Sequence, residues 1–230
     1  MIPWLDPQRP RFPDPATALR DPDGLLAAGG NLSADTLLAA YRRGIFPWYA
    51  PPDPILWWSP DPRAVLIPDR LHVSRSMHKL IKRRPFTVSC DQVFREVMLH
   101  CAAPRRYTAD TWISDEMIAA YTRLHQLGYA HSVEVWQQDR LVGGLYGLAI
   151  GRVFFGESMF SRVGNASKYA FILLARQLQQ AGFALIDCQV ASAHLQSLGA
   201  CTLPRAEFQL RLQQAIDQPP LFSPWTPALL

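Results

Sequence analysis

LVGGLYGLAIGRVFFGESMFSRVGNASKYAFILLARQLQQAGFALIDCQV, residues 141–190, is the stretch whose reading decides the fold. It opens as two apolar strands, Leu141–Ile150 and Val153–Phe155, with Gly143, Gly144, Gly147 and Gly151 among them. Glycine weakens a strand, so a run of it points to bulges or to backbone brought close to a ligand. Gly156-Glu157-Ser158 then places a carboxylate at the end of an otherwise apolar strand. Asn165 or Ser167 can cap a helix whose apolar positions Phe171, Leu174 and Leu178 recur at helical spacing. Ala184–Val190 reads as a short buried strand with Asp187 and Gln189 on one face. Two strands, a helix and a third strand, polar only at Glu157, Asp187 and Gln189, predict a site built on rigid elements.

Outward from this stretch, the upstream sequence adds RAVLI at Arg63–Ile67 as a strand. CDQVFREVMLHC (Cys90–Cys101) and Asp115–Leu127 read as amphipathic helices, joined by a loop with Arg105, Arg106 and Tyr107. AHSVEVWQ (Ala130–Gln137) alternates as a half-buried strand, and Gln138-Asp139-Arg140 turns back into Leu141. Downstream, Ala193–Leu198 and Pro204–Ile216 read as helices. The expected order is β-α-α-β-β-β-α-β-α: mixed α/β with an antiparallel meander in the middle, an order that suits an acetyltransferase-type (GNAT-type) sheet domain over residues 63–230. Most of the twenty prolines lie toward the two ends, which should wrap irregularly. Residues 1–62 form the smaller part, with little regular structure over residues 1–23 and, after Gly24–Gly30, a helix that Ser33 caps and Gly44 stops. Trp48, Tyr49, Trp57 and Trp58 stand among prolines there, either packing an arm on the larger part or forming an aromatic ligand pocket.

Composition excludes several classes. With 49% hydrophobic and 18% charged residues the chain is globular. No apolar run reaches the roughly 18–20 residues of a membrane span, and the start does not read as a signal peptide. The four cysteines show no C-x-x-C spacing, and reduced thiols in a cytoplasm are the expectation. The six histidines carry no metal-ligand spacing, and neither a P-loop nor G-x-G-x-x-G occurs. Neither a metal nor another cofactor is implied. Net charge is only +4, but Arg70, Arg75, Lys79, Lys82, Arg83 and Arg84 cluster with no acid between residues 70 and 90. Arg75, Lys79 and Lys82 share one helical face, a pattern suited to phosphates. An acetyl-CoA enzyme would carry [QR]-x-x-G-x-[GA] before the central helix; Arg162-Val163-Gly164-Asn165-Ala166-Ser167 has its glycine one place early.

GGNLS (29–33), AYRRGIFPW (40–48), PILWWSPDPRAVL (54–66), SRSM (74–77), TWI (111–113), AHSVEVW (130–136), LVGGLYG (141–147), GESMFSR (156–162), NASK (165–168), LIDCQV (185–190) and SLGA (197–200) stand in order. Over about Gly24 to Leu203 the chain resembles the bacterial leucyl/phenylalanyl-tRNA–protein transferases. The resemblance implies a small N-terminal domain on an acetyltransferase-like domain. It also implies transfer of Leu, Phe or, less efficiently, Met from aminoacyl-tRNA to proteins that start with Arg or Lys, marking them for degradation. It points to Asp187 as the group that accepts or relays the amine's proton, with Gln189 orienting the amine and Glu157 nearby. Trp48, Trp112, Phe154, Phe171, Leu174 and Ile186 would line the aminoacyl and adenosine pocket. Arg75, Lys79, Lys82, Arg83 and Arg84 would hold the tRNA acceptor stem by its phosphates. A monomer working without a membrane is expected. A coenzyme A-dependent N-acetyltransferase and a non-catalytic RNA-binding protein are the alternatives, and the displaced glycine of the 162–167 turn speaks against the first.

Overall fold

The computed structural model describes residues 2–103 and 112–225. Arg105, Arg106, Tyr107 and Thr111 lie outside the described residues, as do the last five of the chain. In the first part, β1 (Trp4–Leu5), β2 (Leu25–Gly29), α1 (Ala34–Tyr41), β3 (Phe46–Pro47) and β4 (Leu56–Trp58) follow one another. The strands make a small sheet ordered β1-β2-β4-β3, where little regular structure was expected. Each strand is too short to show periodicity. The sheet closes through Trp57, fully buried, whose indole N–H donates to Gly29 O at 2.9 Å. Ser33 caps α1 as expected, its Oγ accepting from Thr36 N–H at 3.3 Å, and Gly44 takes φ +68 beyond the helix end.

The second part runs β5 (Arg63–Leu66), α2 (Arg75–Arg83), β6 (Thr87–Cys90), α3 (Phe94–Ala102), α4 (Asp115–Gln126), β7 (Ala130–Gln137), β8 (Arg140–Ile150), β9 (Val153–Ser161), α5 (Ala166–Gln180), β10 (Leu185–Gln189), α6 (Ala193–Gln196), β11 (Cys201–Leu203) and α7 (Arg205–Ala215). Its seven strands are ordered β11-β5-β10-β9-β8-β7-β6. This is the mixed α/β architecture expected, with two short edge strands added, β6 and β11. β6 takes Cys90 out of the helix expected from Cys90 to Cys101, which starts instead at Phe94. Gln138 and Asp139, both at positive φ, make the tight turn between β7 and β8.

Alternation along β9 divides the core. Phe154 faces α5 and joins Leu174, Ile186 and Met77 in one cluster. Phe155 faces the other way and joins Tyr41, Trp57, Phe94, Tyr121 and Phe208. α1 and the small sheet therefore share a core with α3, α4 and α7. The glycines of β8 permit close approach. A Cβ on Gly147 would stand 2.5 Å from the Phe154 ring and 2.2 Å from Phe155 O, so only glycine lets that ring lie across β8. The tail wraps the larger part, with Trp225 stacked on His131 at 3.9 Å between centroids.

The feature that positions the site is the parting of β9 and β10. These parallel neighbours, joined by α5, pair over Leu185↔Val153, Ile186↔Phe154 and Asp187↔Phe155. Beyond Phe155, β9 does not end as expected; it continues to Ser161 alongside β8. β10 instead bulges between Asp187 and Gln189, where Gln189 takes φ +63. The strands splay, and a cavity opens between them.

Candidate active site

The cavity has a volume of about 880 Å³. Its apolar wall comes from β8 (Leu145), β9 (Phe154 and Met159), α5 (Phe171) and β10 (Ile186), with Trp112 at the side. Four of the six aromatic or aliphatic residues expected in the lining are there: Trp112, Phe154, Phe171 and Ile186. The other two lie elsewhere. Leu174 is one turn further along α5 and fully buried beneath the sheet, so it shapes the wall only through its neighbours. Trp48 belongs to the small sheet's aromatic group, 5.6 Å from Trp58 between ring centroids and 45% exposed.

The polar groups gather at the mouth of the splay. Glu157 on β9 borders the cavity, and its carboxylate is held by three donors. Tyr41 of α1 donates to Oε1 at 2.8 Å, the Gln189 side-chain amide donates to Oε1 at 2.9 Å, and Tyr121 of α4 donates to Oε2 at 3.3 Å. The Tyr41 and Tyr121 hydroxyls also contact each other. Burial pushes the Glu157 carboxyl up to about 7; the charge of Asp187 pushes the same way, and the three hydrogen bonds pull against both. Burial likewise holds Tyr41, Tyr121 and Tyr146 well above the ordinary phenol range, so all three stay neutral phenols. Tyr146 lines the cavity, and its hydroxyl has no hydrogen-bond partner among the described residues.

Asp187 is not at the cavity surface. It is fully buried, and both its oxygens are taken by Arg63 of β5: Nε donates to Oδ1 at 2.8 Å and Nη2 to Oδ2 at 2.6 Å. The guanidinium is 1% exposed and lies between the Phe46 and Phe208 rings, 4.7 Å from each centroid. Asp187 Oδ1 also accepts the Gln189 backbone N–H at 2.9 Å. Asp187 and Gln189 are thus joined, as their shared face implied, but through the bulge: one is sealed with Arg63 and the other aims its amide at Glu157. Arg63, Tyr41 and Tyr121 went unread as site residues because each reaches Glu157 or Asp187 only through packing of distant segments.

The five basic residues expected to hold phosphates stay together. Arg75, Lys79, Lys82, Arg83 and Arg84 are all exposed, on α2 or at its left-handed end, with Met77 as the buried anchor. Among the described residues none of the five forms an ion pair. Also among the described residues, no group of three or more His, Cys, Asp or Glu is placed to hold a metal ion.

Comparison with known proteins shows the family. The family model described as leucyl/phenylalanyl-tRNA protein transferase matches residues 65–213, and the model of that protein's N-terminal domain matches residues 30–61. The chain belongs to the leucyl/phenylalanyl-tRNA–protein transferase family. A transferase of that name from Cellvibrio japonicus is 59% identical over 95% of this chain and 93% of its own length. Those from Pseudomonas fluorescens strain SBW25 and Pseudomonas aeruginosa are 56% and 57% identical, over 98% and 96% of this chain and 99% and 97% of theirs. As a member of the leucyl/phenylalanyl-tRNA–protein transferases it is an enzyme of the transferase class. Among solved structures, L-PGS from Bacillus licheniformis aligns with TM-score 0.42 and 10% identity over 73% of this chain and 53% of its own. A GCN5-related N-acetyltransferase from Kribbella flavida aligns with TM-score 0.38 and 13% identity over 72% and 58%. Among the described residues no helix is long and apolar enough to cross a membrane.

Proposed function

We propose that this transferase moves Leu or Phe, and less efficiently Met, from the 3′ end of its tRNA onto proteins whose first residue is Arg or Lys, marking them for degradation. It does so in the cytoplasm, as a monomer, with residues 1–62 and 63–230 as its two domains. The observation that carries the reading is the Glu157 carboxylate, held by Tyr41, Tyr121 and Gln189 at the mouth of an apolar cavity where burial raises its pKa.

The donor ester is already activated, so the enzyme's main task is to hold an amine against it. Such positioning can supply about 7–11 kcal/mol. The amine nitrogen bonds to the ester carbonyl carbon, the bond from that carbon to the ribose oxygen breaks, and one amine proton must leave. Glu157, midway through its titration near pH 7, takes that proton and returns one to the departing ribose oxygen. Its negative charge also suits the cationic side chain of an Arg or Lys acceptor. Gln189 has its amide N–H committed to Glu157, which leaves its carbonyl oxygen to accept from the incoming amine. Asp187 serves as a positioning residue, holding the bulge through the Gln189 backbone and through Arg63. Proton acceptance is therefore assigned to Glu157 rather than Asp187, because Glu157 borders the cavity while Asp187 is fully buried against Arg63. Phe154, Phe171 and Ile186 surround the donor side chain, and Trp112 stacks on the terminal adenine. A pocket of this kind grades donors, since one methylene is worth only about 1–3 kcal/mol. The α2 cations hold the acceptor stem by its phosphates.

The test is transfer of labelled leucine from leucyl-tRNA to two model proteins, one starting with Arg and one with Met. Label on the Arg protein alone is expected. Label on both would remove the acceptor selectivity, and label on neither would overturn the reaction.

A further inference from the structure

The turn Arg162–Ser167 is a feature the transfer reaction does not use. A second cavity, of about 310 Å³, opens there. Three elements send polar side chains into its wall: Ser161 and Arg162 from the end of β9 and the turn, Ser167 and Lys168 from the start of α5, and His194 from α6. Among the described residues no acid lines it. Ser161, Arg162, Ser167 and His194 line the main cavity as well, so the two spaces adjoin.

The charges in this wall are not balanced from within. Lys168 forms no ion pair among the described residues, and Arg162 donates only to a neutral acceptor, His100 Nδ1, at 2.7 Å. His194 Nε2 is buried with no hydrogen-bond partner among the described residues. Burial, and then the charge of Lys168, hold that imidazole below its ordinary value, and both residues line the same cavity. Two cations without a counter-charge, next to an unsatisfied ring nitrogen, make a wall that an anion would complete. Its position fits a chain leaving the main cavity toward α2. Tyr169, next to Lys168, meets the Phe86 ring at 5.3 Å and feels the charge of Arg84.

We propose that the cavity lined by Arg162, Lys168 and His194 binds the phosphodiester on the 5′ side of the donor's terminal adenosine. This phosphate site anchors the single-stranded 3′ end between the main cavity and the basic helix, so that the ester is delivered in register with Glu157. The proposal rests on the aminoacyl-tRNA donor reading given above.

Lys168 tests it best, because it lines the second cavity and not the main one. Transfer efficiency is measured with two short donors, leucyl-adenosine, which has no phosphate, and leucyl-CpCpA, which has the phosphodiester. Lys168→Ala should lower the trinucleotide-to-adenosine efficiency ratio about tenfold, and Lys168→Arg should restore most of it. An unchanged ratio overturns the proposal. Binding of unacylated CpCpA, followed against salt, reads the same site without turnover. Lys168→Ala should weaken it and flatten the slope of log affinity on log salt by about 0.7. Equal affinities and slopes overturn the phosphate site. A lysine-dependent slope together with no transfer from either donor would keep the phosphate site and overturn the donor reading instead.

Discussion

Tyr41 donates its phenol hydrogen to Glu157 at 2.8 Å across 116 residues of sequence, so a helix of the small N-terminal part holds the carboxylate of the large sheet. The same hydroxyl lowers the proton affinity of that carboxylate, against the burial that raises it. Tyr41→Phe should therefore raise the Glu157 pKa further. A rate that needs the carboxylate form would have its acidic limb moved upward from about 7 and would fall several-fold at neutral pH. A pH–rate profile checks this. A uniform fall with the limb in place would mean that Tyr41 acts on something other than Glu157.

Asp187 acts on Glu157 in the opposite sense, since its charge raises the Glu157 pKa. Asp187→Asn keeps the shape, removes that charge and should move the acidic limb to lower pH. Were Asp187 itself the proton acceptor, the same substitution would abolish transfer at every pH. The pair of profiles, one displaced up and one down, separates a positioning residue from a base.

The raised carboxyl also links stability to pH. Glu157 holds its proton more tightly folded, at about 7, than at its ordinary value of 4.5. Its contribution is fully present below about 4.5 and is lost as pH rises through about 7. Glu157→Gln, which cannot ionise, should be spared that loss. The stability difference between variant and wild type, from urea unfolding, should then grow in the variant's favour from pH 5 to pH 8. A difference that stays flat with pH would show the carboxylate to be relaxed in the fold.

How much of this could be read from the sequence depends on how far the physics reaches along the chain. The meander, α5 and the polar trio Glu157, Asp187 and Gln189 were legible because local periodicity and glycine placement are local properties. The fate of Asp187 was not, because its partner Arg63 lies 124 residues away and the bulge at Gln189 breaks the two-residue alternation on which faces are assigned. β9 was read short because Gly156, Glu157 and Ser158 interrupt its apolar run, whereas Ser158 and Ser161 still pair with β8 at Tyr146 and Gly143. The start of α5 shows the same limit. Asn165 takes φ +69 with no side-chain cap, and Ser161 Oγ from the preceding strand accepts the Ser167 N–H at 3.3 Å instead. A cap supplied by another element leaves no local signature.

Arg63 and Asp187 make a buried pair, and removing one member of such a pair strands the other. Arg63→Ala should cost about 3–5 kcal/mol of stability, read as a lower urea midpoint with an unchanged slope. The loss combines an uncompensated carboxylate with the loss of the guanidinium from between Phe46 and Phe208. A loss below about 1 kcal/mol would mean that water reaches Asp187 and repays the missing contacts.

The α2 cations are exposed and, among the described residues, unpaired, so removing them should cost the fold little. In the proposed function they hold phosphates, and each phosphate contact contributes about 0.7–0.9 to the slope of log affinity against log salt. Lys82→Ala with Arg83→Ala should therefore weaken tRNA binding at low salt and flatten that slope by about 1.4–1.8. The thermal midpoint should stay where it is. Because such contacts are blind to sequence, the loss should be the same for leucyl- and phenylalanyl-tRNA. A weaker affinity with an unchanged slope would place the two side chains outside the phosphate contact and return α2 to the role of a solvated face.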